Sequence, residues 1–460
     1  MKHIKYFITS LGLLGIVSCE DNLDLAPVSQ INTENFYQTA SDYEQAIIGV
    51  YASLRGEFDD IVLFGDIRSD NTKPVVSGSV TTRSDFDNFS ILPTNEAISG
   101  RWNESYNAIS RANAILDRID EASIEGSLKT RVKGEALFAR ALIYFNLVRI
   151  YGDIPLVITE ITSAEALEFP QSPSTTVYAQ IVSDLTQAVG LLPSSYSGAD
   201  EGRATNIAAN ALLGRVQLTN GNFSDAETVL RSVISQEGGN VNLLADYADV
   251  FDTDNELNPE VIFVVRWTND GVNGNGFNFS YANNQAADNT AKKDLYDEYE
   301  AGDVRRDLTL NTAISANDTL VIKYGPEPPL GEGGESDWPV IRYSDVLLML
   351  SEAINEQGYV PDGEAFTLLN RVRSRAGLAD ITSATVADQA AFRLAVEHER
   401  RVELASEGHR WFDLVRTGRY LEVMGSKGFN VQAHNDLFPI PEAEILKVND
   451  NAILRQNPGY

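Results

Sequence analysis

The sequence predicts a mainly α fold: stacked helical hairpins joined by long loops, with a few short β-strands. Three observations carry that expectation. The run Ala136–Phe145 is apolar almost all round, inside a helical pattern from Leu128 to Tyr151, so this helix is expected to be buried on most sides. Two stretches, ALLGRVQLTNGNFSDAETVLRSVIS and LLMLSEAINEQGYVPDGEAFTLLNRVRSRAG, each read as helix, glycine-containing turn and helix, with small residues where the two helices would approach. The chain has 460 residues, 43% of them hydrophobic, and a mean hydropathy of −0.18, enough for a large core in a soluble body.

At the N-terminus Lys2, His3 and Lys5 precede a short apolar run, Tyr6–Val17. The run is too short for a comfortable membrane span and suits a signal peptide over residues 1–18. It ends in Ile16-Val17-Ser18-Cys19, which resembles a bacterial lipobox with Cys19 as the lipidated residue. Cys19 is the sole cysteine, so no disulfide forms within the chain. The plainer alternative is a leader cut by the ordinary peptidase with a chance cysteine beside it. Glu20, Asp21 and Asp24 follow in a tether ending near Pro27. Acidic residues at that place resemble a surface-export signal of Bacteroidetes lipoproteins; the alternative is a solvated linker.

Thr33–Leu54 is expected to be helical, with Tyr43, Ile47, Val50 and Leu54 on one face. Ile61–Phe64 reads as a strand or buried turn, and residues 65–71 as a polar loop. A helix beginning at Trp102 and the Leu128–Tyr151 helix form one hairpin, closed by Gly152 and Pro155. Helices over Ser174–Leu192, Thr205–Thr219 and Ser224–Gln236 follow. The last two, and the helix Ile341–Glu356 with its successor, resemble tetratricopeptide repeats without a strict period. Pro259–Trp267 is the clearest strand, and Val321–Tyr324 a second short one. The stretch Val396–Tyr420 packs charges beside Trp411, Phe412, Leu414 and Val415, which suggests a docked helix with partly enclosed ion pairs.

A formal charge of −30 and a pI near 4.4 argue against nucleic acid and anionic membrane surfaces as partners. The four histidines make no zincin pair, and with Cys19 committed no Cys/His metal site forms. His398 and His409 are expected on helix surfaces or in ion pairs. No nucleophile elbow or P-loop occurs, so no catalytic residue and no cofactor is expected. Asp252–Glu256 offers alternating oxygens for calcium but lacks an EF-hand's central glycine and closing glutamate; a solvated acidic loop is the preferred reading.

The best binding feature is aromatic. Asn269–Asn289 carries seven asparagines, three glycines, Phe277, Phe279 and Tyr281, with Trp267 at its base. Sugar rings stack apolar faces on aromatics and need amide and carboxylate partners for their hydroxyls. Trp338 and Tyr324 flank a second loop rich in Pro, Gly and Glu, and Asp66, Arg68, Asp70 and Asn71 supply further polar groups. These ten residues are the expected ligand contacts. Trp338 and the Phe277, Phe279, Tyr281 group are expected to be exposed; Trp267, like Trp102 and Trp411, is expected to be a core anchor.

Several strings together resemble the SusD/RagB family: Asn35-Phe36-Tyr37, EALFARALIYFNLVRIYGDIPLV, PEVIFVVRW, WPVIRYSDVLLMLSEAIN, ERRVELASEGHRWFDLVR and FPIP…QNPGY. The resemblance spans nearly the whole chain after the leader. It implies a SusD-like fold on four tetratricopeptide-like hairpins, with a repeat-containing part over about residues 27–255 and a C-terminal SusD/RagB part over about 256–460, within one domain from 19 to 460. It implies an outer-membrane lipoprotein facing the cell exterior, and a SusC-like TonB-dependent transporter as partner. The expected function is capture of a glycan, a neutral one given the charge, for import. The alternatives are peptide capture of the RagB type and a surface hydrolase.

Overall fold

A computed structural model describes residues 36–75, 82–267, 274, 281, 289–315, 318–325, 334 and 336–460. The leader, Cys19, the tether, Phe277 and Phe279 lie outside the described residues.

The first helix, α1 (Ala40–Asp59), starts later than the sequence suggests because Thr39 caps it, its side chain accepting from the Asp42 amide while Asp42 answers back. A π turn at Leu63–Ile67 and strand β1 (Thr72–Pro74) follow, then α2 (Thr82–Asp87). Helix α3 (Glu96–Ile119), capped by Asn95, and α4 (Gly126–Tyr151) form the expected hairpin. Helix α4 is buried from Gly134 through Val148. Gly152, at φ +74°, ends it and donates its N–H to the Val148 carbonyl.

Strands β2 (Ile154–Pro155) and β3 (Gln171–Ser172) pair across the short helix α5 (Ser163–Ala166). Helices α6 (Ser174–Leu191), α7 (Asn206–Thr219) and α8 (Phe223–Ile234) continue the stack, each on its predecessor. A Cβ on Gly214 would stand 2.4 Å from the Leu230 side chain, so the closeness of α7 and α8 depends on that glycine.

Between α8 and the next repeat helix the chain makes β4 (Val261–Val265), β5 (Asn289–Ala291), α9 (Lys293–Glu298), α10 (Arg305–Thr309), β6 (Leu310–Ser315), β7 (Asp318–Val321) and β8 (Trp338–Arg342). Strands β1, β5, β7 and β6 form one sheet in that order, and β4 pairs antiparallel with β8. Helix α11 (Tyr343–Gln357) then packs on α8, and α12 (Glu364–Arg375) on α11, so the helical stack resumes after the insertion. Helices α13 (Gln389–Glu403), α14 (Arg410–Arg416), α15 (Tyr420–Ser426) and α16 (Glu442–Val448) close the chain.

Buried side chains from α3 to α15 form one continuous core, with a smaller cluster between α1, α3 and α4. Buried polar ties run through it. Arg140 grips both Asp184 oxygens, at 2.8 and 2.9 Å, and also reaches Asn113, joining α4 to α6 and α3.

Candidate functional site

The segment expected as a polar loop, residues 65–71, is buried. Its burial has a local cause. A Cβ on Gly65 would lie 2.2 Å from the Gly408 carbonyl oxygen, so two backbones touch there and only glycine fits. Asp66 accepts from the Gly408 N–H at 2.8 Å and from the Tyr281 hydroxyl at 3.4 Å. Burial pushes its carboxyl up to about 7.

Arg68 donates to the Phe86 and Asn435 carbonyls and lies 4.1 Å from the Phe89 ring centroid, beside Trp411 and Phe438. Burial lowers it to about 10. Asp70 is gripped by Arg410 at 2.8 and 3.1 Å and by Arg401 at 3.1 Å. Burial alone would raise its carboxyl, but the two guanidinium groups outweigh that and hold it well below the usual range. Asn71 accepts from Arg401 Nε at 3.0 Å. These four side chains bind the N-terminal segment to α13 and α14.

The described aromatics are also inside: Trp338 is 1% exposed, Tyr324 2%, Trp267 5% and Tyr281 0%. For Trp338 and Tyr281 this corrects the expectation of exposure; for Trp267 burial is the expected state. Trp338 does not stand at a loop tip. It begins β8 opposite Val265 of β4, and its ring stacks on Tyr324 at 5.6 Å. The Tyr324 hydroxyl donates to the Ser406 carbonyl at 2.7 Å. Asp66, Arg68, Asp70, Asn71, Trp267, Tyr281, Tyr324 and Trp338 are all buried and form a platform.

A carboxyl pair missed in the sequence sits at the exits of both loops. The Trp267 amide donates to Asp337 at 2.7 Å, and the Asp337 amide donates to Glu256 at 2.6 Å. Burial and then the Asp337 charge push Glu256 up to about 8. Glu256 closes the acidic stretch weighed for calcium; the rest of that stretch is an exposed turn, with the Asp254 amide on Asp252. Among the described residues no group of three metal-ligating side chains occurs.

Helices α13 and α14 carry a dense charge lattice. Arg342 donates to Glu260, Glu403 and Glu407. Arg305 donates to Asp303, Glu399 and Glu403, and Arg375 to Glu260 and Glu403. His398 reaches Glu298 at 2.9 Å, an ion-pair position as expected. His409 instead is held neutral, lowered by burial to about 3. Trp411 is fully enclosed against Phe89 and Tyr420.

Open cavities lie elsewhere, these two among them. One, of 280 Å³, has Trp102, Tyr106, Leu167 and Phe169 among its walls, with Asn103 and Asn107. The other, of 520 Å³, lies among α4, α6, α14 and the C-terminal tail.

A model described as the SusD family matches residues 273–460, and one described as starch-binding associating with outer membrane matches residues 21–218. SusD-like protein P2 of Formosa agariphila is 28% identical, covering 99% of this chain and 100% of the relative. SusD-like protein P25 of the same organism is 29% identical, covering 94% of each. A solved laminarin-binding SusD-like protein superposes with a TM-score of 0.79 at 29% identity, covering 92% of this chain and 100% of that one.

Proposed function

The chain belongs to the SusD family, and on that premise we propose that it is a cell-surface lipoprotein, anchored through Cys19, that captures an oligo- or polysaccharide and hands it to a SusC-like TonB-dependent transporter. The observation that carries the ligand class is the full-length likeness to a SusD-like protein described as laminarin-binding. The outer-membrane setting is supported by the family description over the N-terminal half. The names of the relatives give the peptide alternative no support.

The contacts are assigned to Phe277 and Phe279 with the asparagines around them. In sequence they fall between two fixed points, Trp267 tied by Asp337 and Tyr281 tied by Asp66. The buried residues serve as the platform: they fix where the loop begins and where it is pinned. Stacking on a sugar face is then supplied by the two phenyl rings, each such base or ring contact being of order 1 kcal/mol.

Calorimetric titration of the purified protein against laminari-, malto- and xylo-oligosaccharides and a peptide pool tests the reading. Saturable binding to a neutral glycan is expected, weakened about tenfold in Phe279→Ala. Peptide binding with none to any glycan would replace the ligand class, and release of reducing ends by the protein alone would make it a hydrolase.

A further inference from the structure

The larger cavity holds an arginine that forms no ion pair among the described residues. Arg149, near the end of α4, lies between two phenyl rings, 4.0 Å from the Phe145 centroid and 4.2 Å from that of Phe412. Its Nε donates to the Phe145 carbonyl at 3.1 Å and Nη2 to the Asn146 side-chain oxygen at 2.6 Å. No carboxylate oxygen among the described residues comes within 4.0 Å of it. That is unusual in a chain with 66 acids and 36 bases. Arg101, Arg140, Arg305, Arg342, Arg401 and Arg410 all face carboxylates. Arg68 also lacks one, but it is sealed in the core at carbonyl oxygens, whereas Arg149 lines an open cavity.

The two rings flank the guanidinium carbon without using its remaining N–H groups, and a guanidinium takes an anion by paired hydrogen bonds from its edge. Around it the cavity wall carries the neutral polar residues Gln171, Ser174, Thr219 and Asn220, with Tyr178 beside them. Two acids and two further arginines share the wall: Asp153 is engaged by Arg455 at 3.1 Å, Arg416 is held by Glu352 and Asp413, and burial raises the carboxyl of Asp436 above its usual range. The volume, 520 Å³, is in the range of small-molecule sites.

We propose that this cavity is a second saccharide site, selective for a sugar unit bearing one anionic group, a carboxylate or a sulfate ester, held by Arg149 with its hydroxyls on Gln171, Ser174, Thr219 and Asn220. The site is separate from the loop residues assigned above and stands or falls independently of them. The low effective polarity around Arg149, which burial lowers to about 9, strengthens its hold on an anion that enters.

The test uses the folded full chain and three probes of equal length: a neutral trisaccharide, a triuronate and a sulfated trisaccharide. Expected is saturable binding of the uronate or the sulfate, tighter than the neutral probe and weakening with salt; whichever binds identifies the group. Arg149→Gln should lower that affinity about tenfold or more, the weight of one hydrogen bond to a charged group. Asn220→Asp, at an exposed position on the cavity wall, adds a repelling or competing carboxylate without disturbing the core, and should lower it too. Both variants should keep the wild-type affinity for any neutral glycan bound at the loops. Equal affinity for charged and neutral probes, or unchanged anionic binding in Asn220→Asp, overturns the assignment.

Discussion

Under the C-terminal helices Arg342 donates to three carboxylates, Glu260, Glu403 and Glu407, and has no exposure to solvent. At the end of α4 Arg149 donates to a carbonyl and an amide oxygen and lies against the rings of Phe145 and Phe412. The same side chain does opposite work in the two places. Each lattice arginine is needed to neutralise acids that are already buried, so the lattice has no capacity left for a ligand. Arg149 forms no ion pair among the described residues, and its ring contacts hold it in place without consuming its charge. Buried charge by itself therefore does not mark a site in this molecule; buried charge without a protein partner, beside open volume, does.

Glu403→Gln is the hardest blow to that contrast. It removes a partner of Arg305, Arg342 and Arg375 at once and strands charge in the core, so unfolding by denaturant should show a loss of about 3–5 kcal/mol. A loss below about 1 kcal/mol would mean that the lattice is not coupled.

The pH profile separates the platform from the lattice. Asp66 and Glu256 have folded pKa values raised to about 7 and about 8. The folded state therefore binds the extra protons, and their contribution is full below the unfolded carboxyl range and declines as pH rises through the folded values. Asp345, Asp70 and Asp413, whose pKa values are lowered by their arginines against the pull of burial, contribute above that range and lose it in acid. Stability should peak in mildly acidic solution and fall by about 1–3 kcal/mol towards about pH 8.5. Asp66→Asn should flatten the alkaline limb, measured as urea midpoints across the range, and leave the acid limb in place.

Arg149→Gln should cost about 1–2 kcal/mol of stability, since it ends two ring contacts and two hydrogen bonds but strands no ion-paired acid. A lattice-sized loss in a melting or denaturant experiment would make Arg149 a structural residue like Arg342. The smallest effect belongs to the surface. Glu364 pairs with Arg231 across α8 and α12 with both side chains well exposed, and Glu364→Gln should change stability by about 0.5 kcal/mol or less.

Much of the scaffold was legible from the sequence because its signals are local. The apolar run of α4, the glycine stop after it and the hairpin of α7 and α8 all fall where periodicity and turn residues put them. The site residues were harder, for a physical reason. Asp66, Arg68, Asp70 and Asn71 look like a loop because their own neighbours are polar, while the groups that bury them, Gly408, Arg401 and Arg410, come more than 300 residues later. Trp338, which follows a loop rich in Pro, Gly and Glu, opens a strand instead of standing exposed; the β4–β8 ladder shifts register between Phe263 and Val264, the residue paired with Pro339, and so accommodates that proline. The isolation of Arg149 is a statement about every acid that is not near it, and no local pattern encodes that.

The contact of Gly65 with Gly408 also sets an order in time. A ribosome that has delivered the first 400 residues has made α1 through α12, yet Asp70 still lacks Arg401 and Arg410, and Asp66 still lacks the Gly408 amide. The seam between the two ends of the chain can close only after synthesis has nearly finished. Pairings of such sequence separation are slow to form. The nascent protein thus passes through a long interval with its repeat helices available to fold and its seam open, and a truncation just before residue 401 should leave the early segment soluble in part but never locked.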